Sequence, residues 1–112
     1  HGLRNFLVDT DGRVEELVPL FLEAGMTGMY PFEVQAGNDI REYRERYPRL
    51  QILGGLDKRA IAAGPVAIDR EVAKAATMLA QGGYVPFADH LVPPDVSWEN
   101  FAYYRRALAA VL

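Results

Sequence analysis

The sequence predicts an α/β fold of four consecutive βα units, half of a TIM-type (βα)8 barrel, with residues 1–112 forming one domain. Three observations lead there. Four short apolar runs are bounded by Gly, Pro or Asp, and each is followed by a stretch in which apolar residues recur at three and four. The runs are continuous rather than alternating, as in parallel strands covered on both faces. Finally, a complete barrel takes about 250 residues, so four units in 112 amount to half of one.

The first run, Phe6-Leu7-Val8, precedes Leu17, Leu20 and Phe21, a helix beginning near Leu17 and stopping at Gly25, with Pro19 tolerated in its first turn. The second, Gly28-Met29-Tyr30-Pro31-Phe32, leads to Asn38 as N-cap and to Ile40, Tyr43 and Tyr47 on one face, until Pro48 forbids continuation. Arg41, Glu42, Arg44, Glu45 and Arg46 form the solvated face of that helix. After the third run, Leu50-Gln51-Ile52-Leu53, the pair Gly64-Pro65 opens the longest helix. Its apolar positions Ile68, Val72, Ala75, Ala76 and Leu79 lead to a stop at Gly82-Gly83. After the fourth, Tyr84-Val85-Pro86-Phe87, Ser97 caps a helix carrying Phe101, Tyr104, Leu108 and Val111 to the last residue. Sequential pairing of the four strands is expected.

Composition narrows the function. Twelve basic against fifteen acidic residues give a formal charge of -3 with no basic block, which disfavours nucleic acid as a partner. The chain has no cysteine, so site chemistry must come from carboxylates, imidazole, hydroxyls and amines. No apolar stretch approaches the roughly 20 residues needed to span a bilayer, so no membrane association and a cytoplasmic location are expected. His1-Gly2-Leu3-Arg4 carries neither an initiator Met nor a signal-peptide pattern, and reads as a cut inside a longer protein, with His1 an accident of the terminus. Four parallel strands alone would leave two bare edges and an uncovered face, so a missing N-terminal half-barrel or a second copy of the chain, as a homo-oligomer, is expected to complete them.

In a βα barrel the loops after the strands carry function, and here every strand ends in charge: Asp9-Thr10-Asp11-Gly12, Glu33, Asp57-Lys58 and Asp89-His90. Asp9 and Asp11 alternate by two and would point the same way. With Glu33 and His90 they have the composition of a hard or borderline divalent metal site. The competing reading has Asp11-Gly12 as a turn, Asp9 as a helix cap and Glu33 paired with Arg or Lys58. His90 is a candidate proton donor, oriented by a neighbour, or a loop residue bonded to backbone. Lys58 would hold a substrate carboxylate or pair with Asp57 or Glu33, and Gly54-Gly55 permits close approach of a ligand or a sharp turn. Trp98, Tyr103 and Tyr104 fall at helical positions that favour packing.

Taken together, Asp9-Thr10-Asp11-Gly12, Pro31-Phe32-Glu33-Val34 with Ala36-Gly37, Gly54-Gly55-Leu56-Asp57-Lys58, and Asp89-His90 with Val92-Pro93-Pro94-Asp95-Val96-Ser97 resemble the C-terminal half of the uroporphyrinogen decarboxylase family. The resemblance covers essentially the whole chain, in order, at all four strand ends. It implies a βα barrel and one of two activities: cofactor-free decarboxylation of acetate side chains, or zinc-dependent methyl transfer between corrinoid proteins and small thiols.

In the decarboxylases a His follows the last strand, where Asp89-His90 stands, which implies a role for His90 in binding or protonating substrate. The family's central acidic residue and carboxylate-binding arginines belong to the other half of its barrel. The methyltransferases place a His-x-Cys pair where Asp9 and Asp11 stand and a Cys at the place of His90. Related cobalamin-independent methionine synthases add a Glu at a place that Glu33 resembles. Every sulfur ligand is thus replaced, and the chain most resembles the family's Asp-x-Asp-Gly subgroup. The resulting expectation is a decarboxylase-like carboxy-lyase acting on a small anionic substrate, with His90 and Asp9 catalytic and Asp11, Lys58 and Asp57 binding substrate, without a cofactor. Its rivals are a corrinoid methyltransferase with a divalent metal, zinc among the candidates, on Asp9, Asp11, Glu33 and His90, and a non-catalytic half-barrel assembly module.

Overall fold

The computed structural model describes residues 2–112; His1 lies outside the described residues. Four strands, β1 (Leu7–Thr10), β2 (Gly28–Pro31), β3 (Gln51–Leu53) and β4 (Tyr84–Val85), lie side by side in chain order and all run parallel. Helices are interleaved with them: α1 (Leu17–Glu23) after β1, α2 (Ile40–Arg46) after β2, α3 (Lys58–Ala63) and α4 (Pro65–Leu79) after β3, and α5 (Trp98–Ala109) after β4. The sequential α/β order and the parallel pairing are as the sequence predicts.

The two faces of the sheet differ. Side chains in one row of a parallel ladder share a face, and neighbours along a strand alternate. Val8, Met29, Ile52 and Tyr84 form one such row. Met29 and Ile52 are sealed from solvent, Tyr84 is buried, and Val8 packs against the same core. A fully buried side chain of this size contributes about 1.5–3 kcal/mol. The alternate rows pair Leu7 with Gly28 and Gly28 with Gln51, Asp9 with Tyr30, and Leu53 with Val85. There Leu7, Asp9 and Val85 are exposed, while Tyr30, Gln51 and Leu53 are half-buried. Crossovers between adjacent parallel strands are right-handed as a rule, which places the helices that connect sequential neighbours on one side of a sheet. One face is thus buried against the helices and the other is open, the uncovered face expected of four parallel strands alone.

The helices stop and start for local reasons, with four departures from expectation. The cap of α2 is Asp39, whose carboxylate accepts from Arg41 N at 2.9 Å; Asn38 is buried and used elsewhere. Arg44, placed by periodicity on the solvated face, is buried and donates to the carbonyls of Pro48 and Gly83 at 2.9 and 3.0 Å. That ties the turns entering β3 and β4 at the amino end of the sheet. A short helix missing from the periodicity, α3, is capped by Asp57, which accepts from Arg59 N at 2.9 Å. Lastly, α5, capped by Ser97, ends at Ala109 before the last residues.

Gly54 and Gly55 both adopt positive φ, and a Cβ on either would collide with Pro31 O or with the Ile40 side chain. The pair serves a sharp turn against the end of β2, anchored by Gly55 N donating to Pro31 O at 2.7 Å. Among the described residues no helix is long and apolar enough to cross a membrane.

Candidate functional site

The carboxyl ends of the strands are laced together by carboxylates that accept from backbone N–H groups of neighbouring loops. Glu33, just after β2, reaches back to the loop following β1 and accepts from Gly12 N at 2.8 Å. Its other oxygen faces Lys58 Nζ at 3.3 Å, across from the end of β3. The backbone N–H of Lys58 donates to Asp89 Oδ1 at 3.0 Å, and Asp89 Oδ2 accepts from Val34 N at 2.7 Å. Since Val34 follows Glu33, the circuit from β2 to β3 to β4 closes on itself, and Gly12 joins the loop after β1 to it.

Asp89 is the buried member, with no solvent exposure. Burial pushes its pKa up, opposed by the two backbone N–H donors and by the nearby Lys58 charge. For Glu33 the balance runs the other way. The Gly12 N–H holds its carboxyl below the ordinary carboxylate range against partial desolvation, with help from Lys58 and, more weakly, from His90. His90 directly follows Asp89, which is held by the backbone N–H groups of Lys58 and Val34. Both members of the pair keep some access to solvent, with side-chain exposures of 17% for Lys58 and 19% for Glu33.

Asn38 supports this circuit from below. Its amide nitrogen donates to Gly12 O at 2.8 Å and to Glu33 O at 2.9 Å. Its oxygen accepts from Val14 N at 3.2 Å and from the Tyr43 hydroxyl at 2.9 Å. Every polar atom of this buried side chain is thereby used, and the loop after β1 is fixed to the end of β2. Neither Asn38 nor Asp89 is among the site residues expected from sequence. The available signal for Asp89 is an acidic residue directly after an apolar strand, which sequence reasoning connects only with the orientation of His90.

The predicted site residues fall into two groups. Glu33 and Lys58 meet, and His90 is exposed and directly follows Asp89 of the same circuit. Asp9, on the open face of β1, and Asp11, in the loop beyond it, are both exposed and make no hydrogen bond with the others among the described residues. Asp57 pairs with Arg59 at 2.8 Å while capping α3, so its carboxylate is taken up by its own helix. Glu33 therefore pairs with Lys58 rather than lying free for a cation. Among the described residues no three His, Asp or Glu side chains are grouped so as to hold a metal ion, so Asp9, Asp11, Glu33 and His90 do not form a ready ligand set.

Beside His90 a groove of about 320 Å³ runs between the end of β4 and α5, lined by Phe87, Leu91, Val92, Phe101, Tyr104 and Arg105. The arrangement can chemically do two things: present the Lys58 ammonium, paired with Glu33, to an anion at the strand ends, and offer the His90 imidazole at the rim of the groove beside α5. Comparison with protein-family models, curated proteins and solved structures finds no match to this chain.

Proposed function

We propose that this chain is half of a βα barrel of the uroporphyrinogen decarboxylase family, and that it contributes to a decarboxylase-like enzyme the groups that hold a carboxylate-bearing substrate. One observation carries the reading: Lys58 and Glu33 form a partly accessible ion pair at the strand ends, and His90 directly follows Asp89, which accepts from the backbone N–H of Lys58. Lys58 already receives one carboxylate there, and a substrate carboxylate of the same chemistry would share or replace it. Breaking the bond between that carboxylate and its carbon releases carbon dioxide and leaves an electron pair on the carbon. The substrate must delocalise that pair, as a conjugated ring would, and His90 delivers the proton that replaces the lost group. Asp9 and Asp11, exposed on the neighbouring strand end, would accept hydrogen bonds from substrate N–H groups.

The test is a nuclear magnetic resonance titration of the chain with citrate as a carboxylate probe. Saturable shifts of the backbone amides of Val34, Lys58 and His90, lost in Lys58→Met, are expected. An absence of saturable shifts, or shifts unchanged in Lys58→Met, would overturn the anion-site reading.

A further inference from the structure

Among the described residues, Asp89 and Arg44 are the charged side chains buried from solvent, and they are served unequally. Asp89 accepts two backbone N–H groups. Arg44, 9% exposed, donates to two neutral carbonyls, Pro48 O at 2.9 Å and Gly83 O at 3.0 Å, and its Nε–H has no acceptor. A guanidinium carries more N–H groups than two carbonyls take up, and it keeps its charge even when buried. That charge also lacks a counter-ion. The exposed arginines Arg13, Arg41, Arg46 and Arg59 each hold a carboxylate, whereas Arg44 has no ion-pair partner among the described residues. Physical need runs the other way, because water screens the exposed charges and leaves the buried one to find a partner.

Arg44 lines a cleft of about 520 Å³ together with Arg41, Glu45, Pro48 and Gln81. One wall is α2 and the turn after it, and the other is the segment that follows α4. Both walls come from the interior of the chain, so the cleft is formed whatever lies beside the outer strands. Arg41 and Gln81 add N–H donors to the lining, Arg41 while holding Asp39 at 2.6 Å. The Gln81 side chain is exposed and makes no hydrogen bond among the described residues. Glu45, the one carboxylate of the lining, is likewise exposed and pairs with no cation among the described residues. The cleft thus offers donors from two sides around a buried cation whose own acceptors are incomplete.

We propose that this cleft binds a tetrahedral oxyanion of the phosphate class, with Arg44 as its principal ligand. Such an anion supplies the missing counter-charge, and its oxygens are acceptors pointing in several directions, which suits donors on two walls. A planar carboxylate engages a single fork and would leave the second wall unused. Glu45 opposes the anion by like-charge repulsion and limits its affinity. Because Arg44 also ties the turns entering β3 and β4, an anion held there braces the end of the sheet opposite the Glu33–Lys58 pair. This inference rests on Arg44 and its cleft and is independent of the substrate reading, so either can fail while the other stands.

The experiment is a nuclear magnetic resonance titration of the 112-residue chain with sodium phosphate at constant ionic strength, reading the Arg44 Nε–H resonance and the backbone amides of Gln81 and Gly83. Saturable shifts are expected, reproduced by sulfate and not by acetate at equal concentration. The same shifts are expected in Lys58→Met, which separates this cleft from the strand ends. Glu45→Gln should tighten phosphate binding about threefold and Gln81→Glu should weaken it about tenfold. Both positions are exposed, so these variants keep the fold. An Arg44 resonance indifferent to phosphate, an equal response to acetate, or binding unchanged in both variants would each overturn the proposal. So would an Arg44 resonance that moves in Glu45→Gln without phosphate and then ignores phosphate, since Glu45 would then be the counter-ion.

Discussion

The carboxyl end of β1 and the carboxyl ends of β2 to β4 carry similar residues and use them differently. After β1, Asp9 and Asp11 stand in solvent with no hydrogen bond to the other strand ends among the described residues. After β2 to β4, Glu33 and Asp89 each accept a backbone N–H from a different loop. What separates them is burial: once a carboxylate loses water it must find donors, and the nearest unpaired donors at a strand end are the N–H groups of the adjoining turns. Acidic residues at the strand ends are thus divided into those that hold the mouth together and those left free for something else.

The largest effect should come from removing the group that joins the two regions. Asn38→Ala strands the Val14 N–H, the Tyr43 hydroxyl and two carbonyls in a buried position, and should cost about 4 kcal/mol. A fall of about 15 °C in melting temperature would register it. Asp89→Ala leaves two backbone N–H groups unpaired and should cost about 3 kcal/mol by urea denaturation. Because the folded pKa of Asp89 is raised, its contribution is complete below the ordinary aspartate range and declines as pH rises through the raised value. Asp89→Asn should remove that decline, which stability measured across acidic pH would reveal.

Glu33→Gln keeps an acceptor for Gly12 N but loses the charge facing Lys58, and should cost about 1 kcal/mol at neutral pH. Glu33 has a lowered folded pKa, so its contribution is present above the ordinary glutamate range and lost as pH falls through the lowered value. The difference between wild type and variant should accordingly vanish in strong acid. The smallest effect belongs to the free pair: Asp9→Asn and Asp11→Asn should each change stability by less than about 0.5 kcal/mol. A larger loss would mean that the carboxylates after β1 also hold the mouth together, and the contrast between the regions would disappear.

The parallel order of the sheet is legible in the sequence because apolar runs and helical spacing report on burial, and burial is what the sheet imposes on Met29, Ile52 and Ile68. Partner choice is less legible. Asn38 and Asp39 are adjacent and both suit a helix cap; which one caps depends on the buried acceptors that Gly12 and Glu33 offer from 26 and 5 residues away. Arg44 sits at a polar position of its helix, yet two carbonyls at the turns entering β3 and β4 draw it inward. α3 has only six residues, too few to show a period, and Asp57 as a cap is its one signal. For the site, the pairing of Glu33 with Lys58 is among the sequence alternatives, whereas the role of Asp89 depends on loops 31 and 55 residues away.

That separation along the chain bears on folding kinetics. Asp89 can take up its two donors only after the intervening strands and helices are in place, since closing such long loops early costs chain entropy without compensation. The bond belongs to the late, downhill side of the folding barrier. Disrupting it should accelerate unfolding while leaving the refolding rate nearly unchanged, which makes Asp89 a latch on the lifetime of the native state.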